Sequence, residues 1–155
     1  MTNGLNAFLV DSNILVYAYD PRDRRKQQQA AFIIERLITA QQAVLSVQCL
    51  SEFFNATTRK LPERLSPEEA LGYVEGFIRT CRIFPLTPTA VLEGCRAATD
   101  YSLSVWDALI WATAKLNQIP YVLTEDLKHG LFLEGVRFQN PFAPEFDAAL
   151  LEPAG

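Results

Sequence analysis

Short apolar runs that stop at polar residues recur along this chain, with apolar residues returning every three to four positions between them. The first run is Ala7-Phe8-Leu9-Val10, which halts at Asp11. Ala43-Val44-Leu45-Ser46-Val47 is the second and Arg82-Ile83-Phe84 a short third. Tyr121-Val122-Leu123-Thr124 is the fourth, ending at Glu125-Asp126, and Val136-Arg137-Phe138 reads as a last edge strand. Brief, nearly continuous apolar runs of this kind suit strands buried on both faces.

The intervening segments have helical spacing. Gln27–Ala40 places Ala31, Ile34 and Ile38 on one face, and Gln48–Arg59 carries Glu52 about one turn in. Ser66-Pro67-Glu68-Glu69 is the sharpest local signal: Ser66 can cap, Pro67 suits the first helical position and Glu69 completes a capping box. The helix it opens aligns Leu71, Val74, Ile78 and Cys81; Thr87-Pro88 opens another through Val91, Cys95 and Ala98. Ser104-Val105-Trp106-Asp107 resembles a second capping box ahead of a helix Asp107–Asn117, although Asp is weaker than Glu there. Strands alternating with helices predict an α/β fold, a parallel sheet with helices on both faces. One domain is expected over residues 1–140, followed by a surface tail over 141–155, where Pro141, Pro144 and Pro153 break regularity.

Composition narrows this picture without changing it. The 155 residues fit one domain, 49% are of hydrophobic type, and the net charge is −4. No run approaches the ~18 apolar residues of a membrane span, and no secretory signal is visible, so a cytoplasmic protein away from membranes is expected. Cys49, Cys81 and Cys95 form no CxxC pair and read as reduced, packed thiols. Residues 1–60 carry seven Lys/Arg against five Asp/Glu, and residues 61–155 seven against thirteen. Any polyanion would therefore be held by local patches or bound cations, not by the overall field.

The acids supply the candidate chemistry. Asp11 ends the first strand, Glu52 lies early in the helix after the second, Asp107 starts a helix and Asp126 follows the fourth strand. In a parallel sheet, strand ends and following helix starts share one edge, where ligands bind. Asp11, Glu52 and Asp126 converge there, and Asp107 joins if its helix begins on that edge. Clustered carboxylates repel and raise each other's pKa, so a fold keeps them mainly to bind a hard divalent cation, Mg²⁺ or Mn²⁺. Such a site can hydrolyse a phosphodiester with no other catalytic side chain, which suits a chain with one histidine. Taken one at a time, Asp107 and Glu52 read as caps or dipole partners rather than as catalytic groups; only the four acids together favour the functional reading.

At these residues the chain resembles the PIN-domain ribonucleases, and most closely the VapC-type toxins of toxin–antitoxin pairs. The matching pieces are Asp11-Ser12-Asn13-Ile14-Leu15 with Tyr17, then Ser51-Glu52-Phe53, Trp106-Asp107-Ala108 and Thr124-Glu125-Asp126-Leu127. The resemblance runs from Leu9 to Pro141. It implies a three-layer α/β/α fold with a central parallel sheet of about five strands. It also implies an acidic Mg²⁺ site and RNA cleavage leaving a 5′-phosphate and a 3′-hydroxyl. By that carry-over Asp11, Glu52, Asp107 and Asp126 are catalytic metal ligands, and Asn13 and Thr124 orient ligands or waters. A homodimer and an inhibitory antitoxin partner are implied as well. Glu125 is ambiguous: in a tight turn it points away from Asp126.

Other features have weaker readings. Arg22, Arg24, Arg25 and Lys26 either bind RNA phosphates or form a solvated helix start, and Arg59, Lys60 and Arg64 pose the same choice. His129 is expected near a helix end, and Trp106 and Trp111 as core or interface aromatics. Two competing functions stand: a catalytically silent PIN-like module that binds RNA or protein, and a phosphatase or phosphoacceptor domain with Asp11 as nucleophile. The second lacks the further Asp that such phosphatases place two residues on, where Asn13 stands.

Overall fold

A computed structural model describes residues 6–152 of the chain; Pro153 and the first five residues, both included in the expected domain limits, lie outside them. The elements in order are β1 (Phe8–Val10), α1 (Ser12–Tyr17), α2 (Arg24–Thr39), β2 (Ala43–Ser46), α3 (Val47–Arg59), α4 (Pro67–Thr80) and β3 (Arg82–Phe84). Then follow α5 (Pro88–Tyr101), α6 (Val105–Leu116), β4 (Tyr121–Leu123), β5 (Phe132–Leu133), β6 (Val136–Gln139) and a 3₁₀ turn at Ala148–Leu151.

Among the described residues the sheet has six strands in the order β3-β2-β1-β4-β6-β5. Every pairing is parallel except β5 with β6. The expected count of about five misses β5, so β6 is not the edge. The β5–β6 hairpin turns through Glu134 and Gly135, both with positive φ (46° and 91°), as a tight hairpin requires. Side chains alternate across the sheet with period two. Phe8, Val10, Leu45 and Leu123 enter a core with Ile33, Leu37, Phe53 and Phe77 of α2, α3 and α4. Leu9, Val44, Val122 and Phe138 enter a second core with Ala90 and Ala97 of α5 and Trp111 of α6. A three-layer α/β/α sandwich results.

Helices occur where the spacing predicts them, and Ile34, Ile38, Val74, Cys81 and Ala98 of the expected stripes pack on the cores, but the most buried positions lie to one side of those stripes. In α2 the buried residues are Ala30, Ile33 and Leu37, with Ala31 exposed. In α4 they are Ala70 and Phe77, while Leu71 and Ile78 are 51% and 53% exposed. In α5 they are Ala90, Gly94 and Ala97, leaving Val91 and Cys95 outside. In α5 the inward residues are all small, which lets the helix approach its neighbour closely. A Cβ on Gly94 would come within 3.0 Å of Leu109 Cδ2.

The segment after Asn140 is not a free surface tail. Phe142, Phe146 and Leu150 pack on the first core and Leu151 is 1% exposed. His129 does not stand at a helix end either; its Nδ1 accepts the Asn140 amide N–H at 3.0 Å and so fastens the chain leading into that segment. Cys49 is buried, Cys81 half-buried and Cys95 exposed, and none is in a disulfide. Among the described residues no helix is long and apolar enough to cross a membrane.

Candidate metal centre

β1 and β4 lie side by side, with the chain winding outward from β1 through β2 to β3 and from β4 through β6 to β5. The strand order therefore reverses between β1 and β4, and the carboxyl ends at that switch form a crevice. Asp11 leaves β1 there, its amide N–H bonded to Leu123 O at 2.9 Å, and becomes the N-cap of α1. Asp126 follows β4, and α6 brings Asp107 to the same place from its first turn. Oxygens of Asp11, Asp107 and Asp126 lie within 4.8 Å of one another.

The Thr124 hydroxyl is the hub of the arrangement. It donates to Asp11 Oδ2 at 2.9 Å, and it accepts the Asn13 side-chain amide at 3.2 Å and the Asp126 amide N–H at 3.2 Å. Asp11 Oδ1 accepts the Ser12 amide N–H at 2.7 Å. One hydroxyl thus ties the position of one carboxylate to the backbone carrying another. Asp107 accepts from the Ser104 hydroxyl at 2.9 Å, while that hydroxyl accepts the Asp107 amide N–H. Ser104 therefore caps α6, but the carboxylate returns to the hydroxyl instead of to the Ser104 backbone, so the reciprocal box is not formed.

Glu52 stands beside the three aspartates without joining the close group. Its Oε2 accepts the Ser12 hydroxyl at 2.6 Å and its Oε1 the Gln48 amide at 2.8 Å. Ser12 and Gln48 are the contributors that sequence reasoning missed, whereas Ser104, expected as the cap of α6, also donates to the Asp107 carboxylate. Ser12 lies inside the Asp11–Asn13 stretch, but its partner is forty residues away, so no local signal marks it.

Burial of Asp11 pushes its carboxyl from 3.8 up to about 6; bonds from Thr124 and Ser12 work against this, and the charges of Glu52 and Asp126 add to it. Asp107 is also raised, first by burial and then by Asp126 and Glu52, with Ser104 opposing. Two carboxyls displaced upward by burial and by each other are poised for a positive charge. An all-oxygen donor set with further polar support fits a hard divalent cation.

A model of the PIN domain family matches residues 8–131. The chain belongs to the PIN domain family. Its fold is similar to that of DNA-bound VapBC from Salmonella typhimurium at 19% identity and a TM-score of 0.64, covering 88% of this chain and 98% of that one. It is similar at 19% identity and a TM-score of 0.63 to a toxin–antitoxin complex from Klebsiella pneumoniae, with the same coverages. VapC20 of Mycobacterium tuberculosis, a sarcin-ricin loop cleaving toxin, gives 15% identity and a TM-score of 0.58 over 75% of this chain and 87% of that one. No curated protein sequence matches. At these identities the structural likeness is one of fold.

The basic residues are placed unequally. Arg22 is paired with Asp20, and Lys26 with Glu125. Arg24 and Arg25 are exposed. A groove of about 640 Å³ is lined by Asn13, Tyr17, Glu52, Asn55, Lys60 and Trp106 among others. Trp111 is a core residue as expected, but Trp106 is 65% exposed at the groove rim.

Proposed function

We propose that this PIN domain protein is a Mg²⁺-dependent endoribonuclease, with Mn²⁺ as a substitute, acting as the toxin of a toxin–antitoxin pair. The observation that carries this reading is the meeting of Asp11, Asp107 and Asp126 oxygens within 4.8 Å at the switch point of the sheet. When bound, the cation would neutralise charge on a scissile phosphate and lower the pKa of an attacking water. Asp11, Asp107 and Asp126 hold it, and Glu52 completes the set from a position where Ser12 and Gln48 fix both its oxygens. Burial keeps a share of Asp11 protonated near neutrality, and that proton would have to leave for a cation to be held there.

Asn13 and Thr124 do not touch the reacting atoms. They fix Asp11 and Asp126 through the shared hydroxyl and remove the need for reorganisation during reaction. A single RNA strand follows the groove, with Lys60 meeting a phosphate and Arg24 and Arg25, exposed at the start of α2, free to meet others. The product ends are a 5′-phosphate and a 3′-hydroxyl.

The toxin assignment is supported by the likeness in fold to VapBC complexes. An antitoxin and a second copy of the chain are the partners, with the apolar residues left outward on α4 and α5, such as Leu71, Ile78 and Leu92, available for contact. The cytoplasm is the working compartment. The test is cleavage of purified RNA by the wild type and by Asp11→Ala and Asp126→Ala, with Mn²⁺ binding followed by calorimetry. Cutting and Mn²⁺ binding in the wild type, both lost in the variants, are expected. Undiminished cleavage by both variants refutes the mechanism, and a wild type that binds RNA without Mn²⁺ or cleavage points to a silent binding module.

A further inference from the structure

Lys26 stands in the first turn of α2, a helix with no acidic residue in that turn. A cation there opposes the helix dipole, so the position does not serve the helix. Its ammonium is ion-paired with Glu125 Oε2 and lies 3.4 Å from the Tyr17 hydroxyl. It also sits over two rings, 4.9 Å from the centroid of Tyr17 and 5.3 Å from that of Phe142. The Tyr17 hydroxyl donates to Glu125 Oε1 at 2.5 Å. Both carboxylate oxygens of Glu125 are therefore occupied by groups outside the acidic centre. The Tyr17 and Phe142 rings meet edge-on at 5.1 Å, so α1, α2, the turn after β4 and the C-terminal segment join at this point.

Glu125 and Asp126 are adjacent acids at the same strand end, and the centre uses only Asp126. Were Glu125 to swing in, it would add a further negative charge to a group of carboxylates already raised by burial and mutual repulsion. We infer that Lys26, acting with Tyr17, is a positioning residue that holds Glu125 outward and thereby fixes the turn presenting Asp126 to the cation, and is not a ligand of RNA phosphate. The inference rests on the nuclease reading for its kinetic readout, but not for its metal readout.

The experiment compares the full-length wild type with Lys26→Met, Lys26→Arg and Tyr17→Phe. It measures Mn²⁺ affinity by calorimetry in the absence of RNA, kcat and KM for an oligoribonucleotide, and the salt dependence of RNA binding. Lys26→Met is expected to weaken Mn²⁺ binding about tenfold, the lower end of the loss that follows removal of groups supporting a metal site, and to lower kcat with KM little changed. Lys26→Arg restores most of both, and Tyr17→Phe, which deletes only a hydroxyl, shows a smaller effect of the same kind. A phosphate ligand would instead raise KM and reduce the salt slope by about one, leaving Mn²⁺ affinity intact. That pattern, or equal Mn²⁺ affinity in all four proteins, overturns the inference. A wild type that binds Mn²⁺ without cutting RNA sinks the nuclease reading alone, and the metal affinities still decide the role of Lys26.

Discussion

Replacing Asp11 by asparagine should stabilise the metal-free protein while removing its ability to hold a cation. Burial raises the Asp11 carboxyl from 3.8 to about 6. The folded state therefore holds this proton more tightly than the unfolded chain does. Stability is lost as the pH rises from about 4 through 6, and above that window the full cost of about 3 kcal/mol is present. Asparagine carries no charge and caps a helix as well as aspartate does, so the bond from the Ser12 amide survives. The bond from Thr124 does not, because its hydroxyl already accepts from Asn13 and Asp126 and would face an amide donor. That loss offsets about 1 kcal/mol. A net gain of about 2 kcal/mol remains, or about 4–8 °C in Tm for a domain of this size. Calorimetric unfolding in EDTA at pH 7.5 should show that rise, and at pH 4, where little of the cost is present, the lost Thr124 bond should leave the variant slightly the less stable. With Mn²⁺ at a hundredfold excess over its Kd, the wild type should gain about 2.7 kcal/mol and the variant nothing, reversing the order. A variant no more stable than the wild type in EDTA at pH 7.5 refutes the account of Asp11.

Mn²⁺ affinity should fall about tenfold per pH unit below 6, since Asp11 must release a proton to bind; affinity constant between pH 5 and 7 would contradict this. Arg96 bonds Glu93, Asp100 and Glu134, and Lys115 bonds Glu93 and Glu134, tying α5 and α6 to the β5–β6 turn. Arg96 and Lys115 hold Glu93 down to about 2, and Tyr101 with Lys115 and Arg96 does the same for Glu134. Their contribution is present above about 4.5 and lost as the pH falls through 2, so Arg96→Gln should lower Tm more at pH 7 than at pH 2, as read by thermal scans at both. Phe53 is fully buried, edge-on to Tyr19 and Phe77, and Phe53→Ala should cost about 3–5 kcal/mol in urea unfolding. Leu151→Ala should cost about 2–5 kcal/mol in the same assay, whereas a free tail would show no change.

Each acid of the centre can be found in the chain because strand ends and helix starts are locally encoded. An apolar run that stops at Asp11 or Asp126 reports where a strand leaves the core, and Ser104 reports where α6 begins. The Ser66–Glu69 box forms with both of its bonds. Glu125 illustrates what local reading leaves open: its direction depends on Tyr17 and on Lys26, 99 residues distant in the chain. The two-residue strand β5 escapes notice because a pair of apolar residues has no period, although Glu134-Gly135 marks its turn.

The sequence by itself determined the alternation of strands and helices, the sheet edge to which Asp11, Glu52 and Asp126 belong, and Asp107 as the acid of a helix start. Those features depend on period, capping and chain order, which are properties of neighbours along the chain. Only the tertiary structure decided which helical stripe faces inward. Periodicity draws attention to bulky residues such as Leu71 and Val91, whereas close approach selects Ala70, Ala90 and Gly94, whose small size lets one element rest on another. It also decided that Glu52 stands beside the aspartate trio under the hold of Ser12 and Gln48, and that Lys26 answers Glu125. A hydrogen bond or an ion pair between distant segments leaves no periodic trace, and its partner is known only once the fold has placed both groups within reach.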